Sequence, residues 1–248
     1  MQLYIIRHGE STNNATMSID PEDRVEDPPL TPTGEKQAEH VAQFLKDAMN
    51  LETLVRHRVG QESRDEHFPH KITHLYCSPM HRALKTARPI AKALGLQANV
   101  WKDIHESGGI FLEKDGIVNG FGGLTRAAIL EEFEDYLLPD EITDAGWWNP
   151  EDGQEDITLC HARAIRVAAA LRTRAGEAES QDDCVALVTH GMFIDSLLKA
   201  LLNTLPGSRY FHWHYNTAIT RLDILNDGVL LVRYINRVDH LPADLITT

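Results

Sequence analysis

Short apolar runs alternate along this chain with longer stretches in which apolar residues recur every three to four positions. A continuous apolar run of this kind is typical of a strand buried on both faces of a sheet. Four runs predict strands: 3–6, 72–77, 98–101 and 184–189. Near the C-terminus, segments 218–225 and 229–234 flank an Asp-Gly pair, and this pattern predicts a β-hairpin.

Helical spacing follows most of the predicted strands. One helix is expected to begin at or next to Thr33, and four more are expected at 80–94, 124–136, 157–175 and 193–202. Pro89 lies inside the second pattern and is expected to kink or break it. The glycine-rich stretch 108–123 predicts a mobile covering loop rather than a helix. Residues 51–70 are of mixed charge and predict a helix extension and a surface loop.

Strands that alternate with helices define the fold class. We expect an α/β fold: a three-layer sandwich with a mostly parallel central sheet, helices on both faces and a C-terminal hairpin. Neither a repeat nor a low-complexity linker divides the chain. We therefore predict a single domain over residues 1–248, with insertions at about 51–70 and 107–150.

Composition narrows the class of partner. The chain has 248 residues, 42% of them hydrophobic, and a formal net charge of −13. This charge argues against nucleic acid or an anionic membrane as a partner, because both select basic surfaces. The chain has three cysteines, an odd number without paired spacing, which predicts buried thiols in a reducing compartment. Because it shows neither an apolar leader nor an apolar run long enough to span a membrane, we expect a cytoplasmic protein.

The polar residues that follow the predicted strands carry the candidate chemistry. His8-Gly9 and His190-Gly191 each end a strand, and the carboxyl ends of parallel strands meet at one edge of a sheet. Arg82 follows the strand at 72–77 by about one helical turn, and Glu106 follows the strand at 98–101. Arg7 adds a planar donor fork beside His8 that suits a phosphate oxyanion. Two histidines, two arginines and a carboxylate are thus expected in one crevice.

Each of these residues also has an ordinary structural interpretation. A histidine that ends a buried strand is often a hydrogen-bonded core residue, and an arginine on a helix is often solvated. Glu106 competes as the acid with three nearby carboxylates, Asp103, Glu113 and Asp115. His212 and His214, which flank Trp213, would suit a pair of metal ligands. No third ligand has suitable spacing, so a packing or surface role is favoured.

Taken together, the motifs resemble those of the histidine phosphatase superfamily, in its phosphoglycerate-mutase-like branch. The resemblance rests on 7–11 with Asn14, 30–34 with 37–38, Ser78 with 82–83 and 86–87, Glu106, 189–191, and Asn216. It implies that His8 is a nucleophile forming a phosphohistidine, and that Arg7, Arg82 and His190 stabilise the transferred phosphoryl group. It further implies Glu106 as the proton donor, with Asn14, Ser11 and Gly191 as phosphate contacts. No metal and no cofactor are implied.

The resemblance leaves three functions open. A phosphatase hydrolyses a small phosphorylated substrate, whereas a phosphoglycerate-type mutase also holds a second acidic group and therefore needs further cations. After Glu106 the sequence offers no cation until Lys114 and then none until Arg126, which favours the phosphatase. The third function is a non-catalytic phosphate-binding regulatory protein, which would not need a nucleophile.

Overall fold

A six-stranded mixed sheet forms the centre of the computed structural model, which describes residues 1–15, 24–47, 72–180, 182–207 and 209–248. In chain order the strands of this sheet are β1 (Gln2–Arg7), β2 (His74–Cys77), β3 (Ala98–Val100), β6 (Cys184–Thr189), β7 (Ile219–Ile224) and β8 (Leu230–Arg237). They lie in the order β3-β2-β6-β1-β7-β8. The first four are mutually parallel, and at one edge β7 pairs antiparallel with both β1 and β8. The predicted α/β class, mostly parallel sheet and C-terminal hairpin are confirmed.

The register of the two central strands positions the candidate histidines. β1 and β6 pair in parallel, with Arg7 opposite Thr189. The residue that follows each strand, His8 or His190, therefore leaves the same edge of the sheet beside the other. The predicted convergence of these two histidines is a direct consequence of this pairing.

Helices cover both faces of the sheet. They are α1 (Thr12–Ala15), α2 (Pro32–Asp47), α3 (His81–Leu94), α4 (Arg126–Glu132), α5 (Ile157–Gly176) and α6 (Gly191–Leu201). Side chains of β1 alternate between the two faces: Tyr4 and Ile6 pack with the core that includes α2 and α3. Leu3 and Ile5 pack with the core that includes α5 and α6. Burial on both faces explains why this strand is continuously apolar.

Two local expectations were wrong or incomplete. α3 runs unbroken through Pro89, which lies on the half-exposed side of the helix, away from the buried face that holds α3 on the sheet. The glycine-rich stretch predicted as a covering loop contains the hairpin β4 (Phe111–Lys114) and β5 (Ile117–Gly120). The turn of this hairpin places Asp115 and Gly116 at positive φ. Each strand is too short for an alternation of apolar and polar residues to be recognised in the sequence.

The ends of the remaining predicted elements moved by small amounts. Thr31 rather than Thr33 caps α2, because its Oγ1 accepts the N–H of Gly34 at 3.0 Å. The helix expected over 124–136 is confined to α4. The expected insertion at 51–70 lies outside the described residues. Within the described ranges, no helix is both long and apolar enough to span a bilayer. All three cysteines are buried, as predicted.

Candidate active site

His8 lies buried at the end of β1 with both ring nitrogens engaged. Its Nδ1 is 2.6 Å from the Gly9 carbonyl oxygen, and the Arg82 Nε–H donates to Nε2 at 3.2 Å. A carbonyl can only accept, so the proton of the ring is on Nδ1 and the lone pair is on Nε2. Burial, together with Arg82 and Arg7, holds the pKa of His8 well below its usual value. The imidazole is therefore neutral, with Nε2 as its nucleophilic atom.

The backbone around His8 is fixed by contacts from distant parts of the chain. The His8 carbonyl accepts from Asn216 Nδ2 at 3.2 Å and from the Thr217 N–H at 3.3 Å. The Gly9 N–H donates to Thr86 Oγ1 at 3.0 Å. These bonds leave little freedom to the turn that carries the imidazole, so the orientation of Nε2 is set before any ligand binds.

Arg7 is buried beside His8. One terminal nitrogen of its guanidinium donates to the His214 carbonyl at 2.6 Å. Burial, and to a smaller extent Arg82, lowers the pKa of Arg7 to about 10, so it stays a cation at neutral pH. Gly191 comes close to this group: a methyl built on Gly191 would lie 3.4 Å from Arg7 Nε. The first turn of α6 is therefore packed directly on the guanidinium.

Arg82 enters the site from the first turn of α3. Its guanidinium lies 3.6 Å from Asp27, whose carboxylate also accepts the His81 N–H at 3.1 Å. Burial lowers the pKa of Arg82, whereas Asp27 and Glu106 act in the opposite direction. Asp27 thus fixes both the start of α3 and the side chain that this helix presents to His8.

His190 faces His8 with ring centroids 5.0 Å apart. Its Nε2 shares a hydrogen bond of 2.7 Å with Ser78 Oγ, which also accepts the Met80 N–H at 3.3 Å. Burial and nearby Arg82 hold the pKa of His190 well below its usual value. When the Ser78 hydroxyl donates to Nε2, the proton of the neutral ring is on Nδ1.

Two buried polar atoms of this cluster lack a partner. Arg7 Nε and His190 Nδ1 are two of the four buried side-chain nitrogen or oxygen atoms without a hydrogen bond in the described parts of the chain. An unsatisfied buried donor costs about 1–3 kcal/mol. Two such donors beside His8 are arranged to be satisfied by an anion.

Glu106 lies at the N-terminus of α6. Its Oε1 accepts the N–H groups of Ser107 and Phe193, both at 2.9 Å, and its Oε2 accepts the Met192 N–H at 3.4 Å. Oε2 has only this one long contact and is therefore the carboxylate oxygen that is more accessible to a ligand. The Glu106 charge also acts on both Arg7 and Arg82. Of the four candidate carboxylates, this is the one that contacts the N-terminus of α6.

The loop that carries Glu106 is held by a buried arginine. Arg163 on α5 donates to the carbonyls of Asp103 and His105, both at 2.8 Å. Its guanidinium also forms a two-bond ion pair with Glu155 at 2.9 and 2.5 Å. The position of Glu106 is therefore coupled to a helix that the sequence does not connect with the site.

The two weaker phosphate candidates form a local network. Asn14 Oδ1 accepts from Ser11 N at 3.2 Å, from Ser11 Oγ at 3.0 Å and from Asn216 Nδ2 at 3.4 Å. The carbonyl end of Asn14 is thus occupied, and its amide NH₂ is the group left for a ligand. The Ser11 hydroxyl donates its hydrogen bond to Asn14 Oδ1, which favours a supporting role over direct contact with phosphate.

The site opens into two cavities. The lid cavity, of about 770 Å³, is lined by His8, Arg82 and the hairpin β4–β5. The aromatic cavity, of about 450 Å³, is lined by the start of α6 and by the segment 211–214. Arg7, Arg24 and Glu106 line both. A phosphate at His8 therefore has two directions in which its ester group can extend.

Comparison with known families agrees with the motifs and their geometry. The family model described as Histidine phosphatase superfamily (branch 1) matches residues 3–55 and 57–237. The chain belongs to this superfamily. Its two His-Gly strand ends, the arginine that precedes His8 and the arginine of α3 all fall within the matched ranges.

Relatives of this chain carry the name of a mutase. The chain is 38% identical over 97 residues to a probable phosphoglycerate mutase GpmB of Photorhabdus laumondii, a match that spans only 39% of this chain and 34% of the relative. A probable phosphoglycerate mutase GpmB of Enterobacter is 28% identical over 98% of this chain and 96% of its own. Among solved structures, a mycobacterial glucosyl-3-phosphoglycerate phosphatase complexed with VO₃ is similar, with a TM-score of 0.55, 23% identity and coverage of 96% and 99%.

Several residues of this site are not evident from the sequence. Asp27 lies in a polar loop, and nothing in its neighbourhood distinguishes it from Glu26. Arg24 lies in the same loop and is exposed, although it lines both cavities. Arg163 has the appearance of a solvated helix residue, and only its burial reveals its bond to Glu155.

Proposed function

We propose that this protein is a metal-independent phosphatase that hydrolyses a phosphomonoester through a phosphohistidine on His8. The observation that carries the proposal is the state of the His8 ring: a buried neutral imidazole, with Nδ1 bonded to Gly9 and the Nε2 lone pair directed at Arg82. A neutral imidazole is a competent nucleophile at neutral pH without a metal.

In the first step the phosphate oxygens take over the donors of Arg82, which frees the lone pair of His8. Nε2 then attacks phosphorus, the Nε2–P bond forms, and the ester P–O bond breaks. The oxygen of the leaving alcohol takes a proton from Glu106 Oε2. The products of this step are the free alcohol, the phosphohistidine and the Glu106 carboxylate.

The charge that develops on the three equatorial oxygens is met by fixed donors. Arg7 and Arg82 supply permanent cations, and the unpaired Arg7 Nε and His190 Nδ1 supply two further N–H groups. Such donors need no reorganisation at the moment of transfer, and each is worth about 10²–10³-fold in rate.

In the second step water hydrolyses the phosphohistidine. Glu106 accepts a proton from this water as its oxygen attacks phosphorus. The Nε2–P bond breaks, inorganic phosphate leaves, and the ring of His8 recovers its lone pair. Glu106 is then protonated again and ready for the next cycle.

A phosphoglycerate-type mutase is the competing proposal, and the names of the relatives favour it. It requires cations for the second acidic end of the substrate. Arg24 and Lys114 line the lid cavity, but Glu113 and Asp115 line the same side as Lys114. These carboxylates oppose a second anionic group, so the phosphatase is preferred.

Hydrolysis of p-nitrophenyl phosphate tests the phosphatase. We expect turnover that withstands EDTA, inhibition by vanadate, and an acid-labile phosphoenzyme after rapid quench. His8→Ala should abolish all three, whereas His161→Ala, on a helix away from both cavities, should not. Binding of phosphate without turnover would instead favour the regulatory protein.

A second assay separates hydrolysis from phosphate exchange. With 3-phosphoglycerate and a bisphosphorylated glycerate primer, a mutase forms 2-phosphoglycerate faster than it releases phosphate. We expect phosphate release without isomerisation. Isomerisation that outpaces release and depends on the primer would replace the proposed function by the mutase.

A further inference from the structure

Large apolar side chains are exposed beside the catalytic cluster. Phe211 is 59% exposed and Trp213 is 56% exposed, and Met192, in the first turn of α6, is 41% exposed. All three line the aromatic cavity, together with Arg7 and Glu106. Exposed apolar side chains gathered around one opening mark a binding surface more often than an accident of packing.

The wall that carries these rings is firmly held. Asp195 of α6 accepts the His212 N–H at 2.9 Å, lies 3.0 Å from His212 Nδ1, and pairs with Lys199 Nζ at 2.7 Å. The Lys199 ammonium in turn lies 4.8 Å from the centre of the Phe211 ring. The two histidines considered as a metal pair thus have structural partners: His212 bonds Asp195, and His214 Nε2 bonds Thr220 Oγ1 at 2.7 Å.

The same segment is joined to the phosphate-binding residues. The His214 carbonyl accepts from the Arg7 guanidinium at 2.6 Å, so the residue next to Trp213 touches the cation beside His8. Glu106, the proton donor for the leaving oxygen, lines this cavity as well. A group attached to that oxygen can therefore extend along the wall formed by Phe211 and Trp213.

From these contacts we infer that the aromatic cavity is the subsite for the leaving alcohol, and that it selects phosphomonoesters whose alcohol carries an apolar or aromatic group. The inference rests on the proposed function and names its substrate class. The volume of about 450 Å³ falls within the range of roughly 300–1,000 Å³ that small-molecule sites occupy. Phe211, Trp213 and Met192 would bind the apolar group, while Arg7 and Arg82 hold the phosphate.

The charges on this cavity agree with an uncharged occupant. The Asp195 carboxylate faces it and is already bonded to Lys199 and His212. Arg24 is the cation in the lining that remains for an acidic group, and it also lines the lid cavity. An alcohol with a carboxylate would therefore gain from Arg24 but would place its charge against the aromatic rings.

The test compares kcat/KM for 2-phenylethyl phosphate, ethyl phosphate and 3-phosphoglycerate. The first two have alcohols of similar acidity and differ in the phenyl group. Transfer of a phenyl side chain from water is worth about tenfold or more in binding, so we expect at least a tenfold preference for 2-phenylethyl phosphate over ethyl phosphate. Phe211→Ala and Trp213→Ala should each reduce this ratio at least threefold.

Tyr210→Ala is the matched control. Tyr210 belongs to the same segment and is 44% exposed, but it lies outside the cavity lining and its hydroxyl donates to Thr204 Oγ1 at 2.6 Å. This variant should keep the wild-type ratio. Equal kcat/KM for the two esters, a preference for 3-phosphoglycerate over both, or a ratio unchanged in Phe211→Ala and Trp213→Ala would each overturn the subsite.

Direct binding keeps the two proposals separable. Calorimetric titration of the wild-type protein with 3-phenylpropylphosphonate and propylphosphonate, which cannot be hydrolysed, measures the subsite without turnover. We expect about tenfold tighter binding of the phenyl compound. If neither ester is hydrolysed, the proposed function fails. In that case the phosphonates alone test the subsite, and equal binding of the two overturns it as well.

Discussion

Arg82 donates from Nε to Nε2 of His8 at 3.2 Å, so the cation that would neutralise the phosphate is also bonded to the atom that would attack it. In the free protein this contact orients the imidazole, and burial together with the Arg82 charge lowers the pKa of His8. It also occupies the lone pair until an anion competes for the guanidinium. Binding of phosphate and release of the nucleophile are therefore one event at this site.

Replacement of Arg82 by lysine tests that coupling. A lysine keeps the charge, but it has no planar fork and cannot reproduce the Nε–H contact. We expect Arg82→Lys to lower kcat/KM for p-nitrophenyl phosphate about 10²–10³-fold. Arg88→Lys, on the exposed side of the same helix, should stay within about threefold of wild type. A similar small effect of Arg82→Lys would contradict the assignment.

Removal of the Glu106 proton should slow hydrolysis most for substrates with poor leaving groups. In Glu106→Gln the leaving alkoxide loses its acid, whereas nitrophenolate departs without one. Hydrolysis of an alkyl phosphate should fall more than about 100-fold, and that of p-nitrophenyl phosphate less than about tenfold. Glu113→Gln and Asp115→Asn serve as controls from the lid cavity. Equal losses on both substrates would point to a different acid.

Arg163 is expected to act as a positioning residue for Glu106. Loss of its bonds to the carbonyls of Asp103 and His105 should displace the carboxylate without touching the phosphate. Arg163→Met should therefore lower kcat on alkyl phosphates with little change in KM, and should steepen the dependence of rate on leaving-group pKa as Glu106→Gln does. A purely structural role would leave that dependence unchanged.

Stability has to be controlled in this experiment. Breaking a buried ion pair costs about 3–5 kcal/mol, because one charge is left buried without its partner. The double variant Arg163→Met, Glu155→Leu removes both charges and should recover much of the thermal stability. It should keep the altered leaving-group dependence, since the two carbonyl contacts are still missing.

The sequence predicts the site residues that follow the strands, but not the residues that hold them in position. His8 and His190 could be predicted to meet because both follow continuous apolar runs, and such runs form neighbouring strands in the middle of a parallel sheet. Arg82 and Glu106 could be placed near them by the same reasoning. Arg163 and Asp27 could not, since their roles depend on burial created by contacts far away along the chain.

The hairpin β4–β5 and the aromatic cavity show a second reason why the sequence predicts only part of the site. The hairpin β4–β5 has four residues in each strand, and its side chains are half-buried or exposed, so no strong apolar pattern marks it. The sequence does not single out Phe211 and Trp213, and only their exposure distinguishes a binding wall from packing. The local pattern of apolar residues indicates which side chains are buried, but it does not indicate which exposed side chains lie around the same opening.

Gly34 is expected to tolerate no side chain, although it lies in the first turn of α2. Ordinary helix propensity favours alanine over glycine by about 1 kcal/mol. Here a methyl on Gly34 would overlap the Glu10 backbone oxygen, and one on Gly9 would lie 2.5 Å from the Gly34 oxygen. Gly34→Ala should thus lower the free energy of unfolding in urea by more than about 1 kcal/mol. Gly176→Ala, where a methyl meets nothing within 4 Å at the end of α5, should leave it unchanged or raise it by up to about 1 kcal/mol.

His214 makes the fold sensitive to acid in a predictable direction. Burial lowers its pKa from 6.5 in the unfolded chain to about 4, so below pH 6.5 the unfolded state binds a proton that the folded state refuses. The stability contributed by neutral His214 is complete above pH 6.5 and is lost as the pH falls toward 4. In His214→Gln, the drop in unfolding free energy between pH 7 and pH 5 should be smaller than in wild type by about 2 kcal/mol. Urea denaturation at the two pH values measures it, and identical drops in both proteins would show that His214 is already protonated in the folded state.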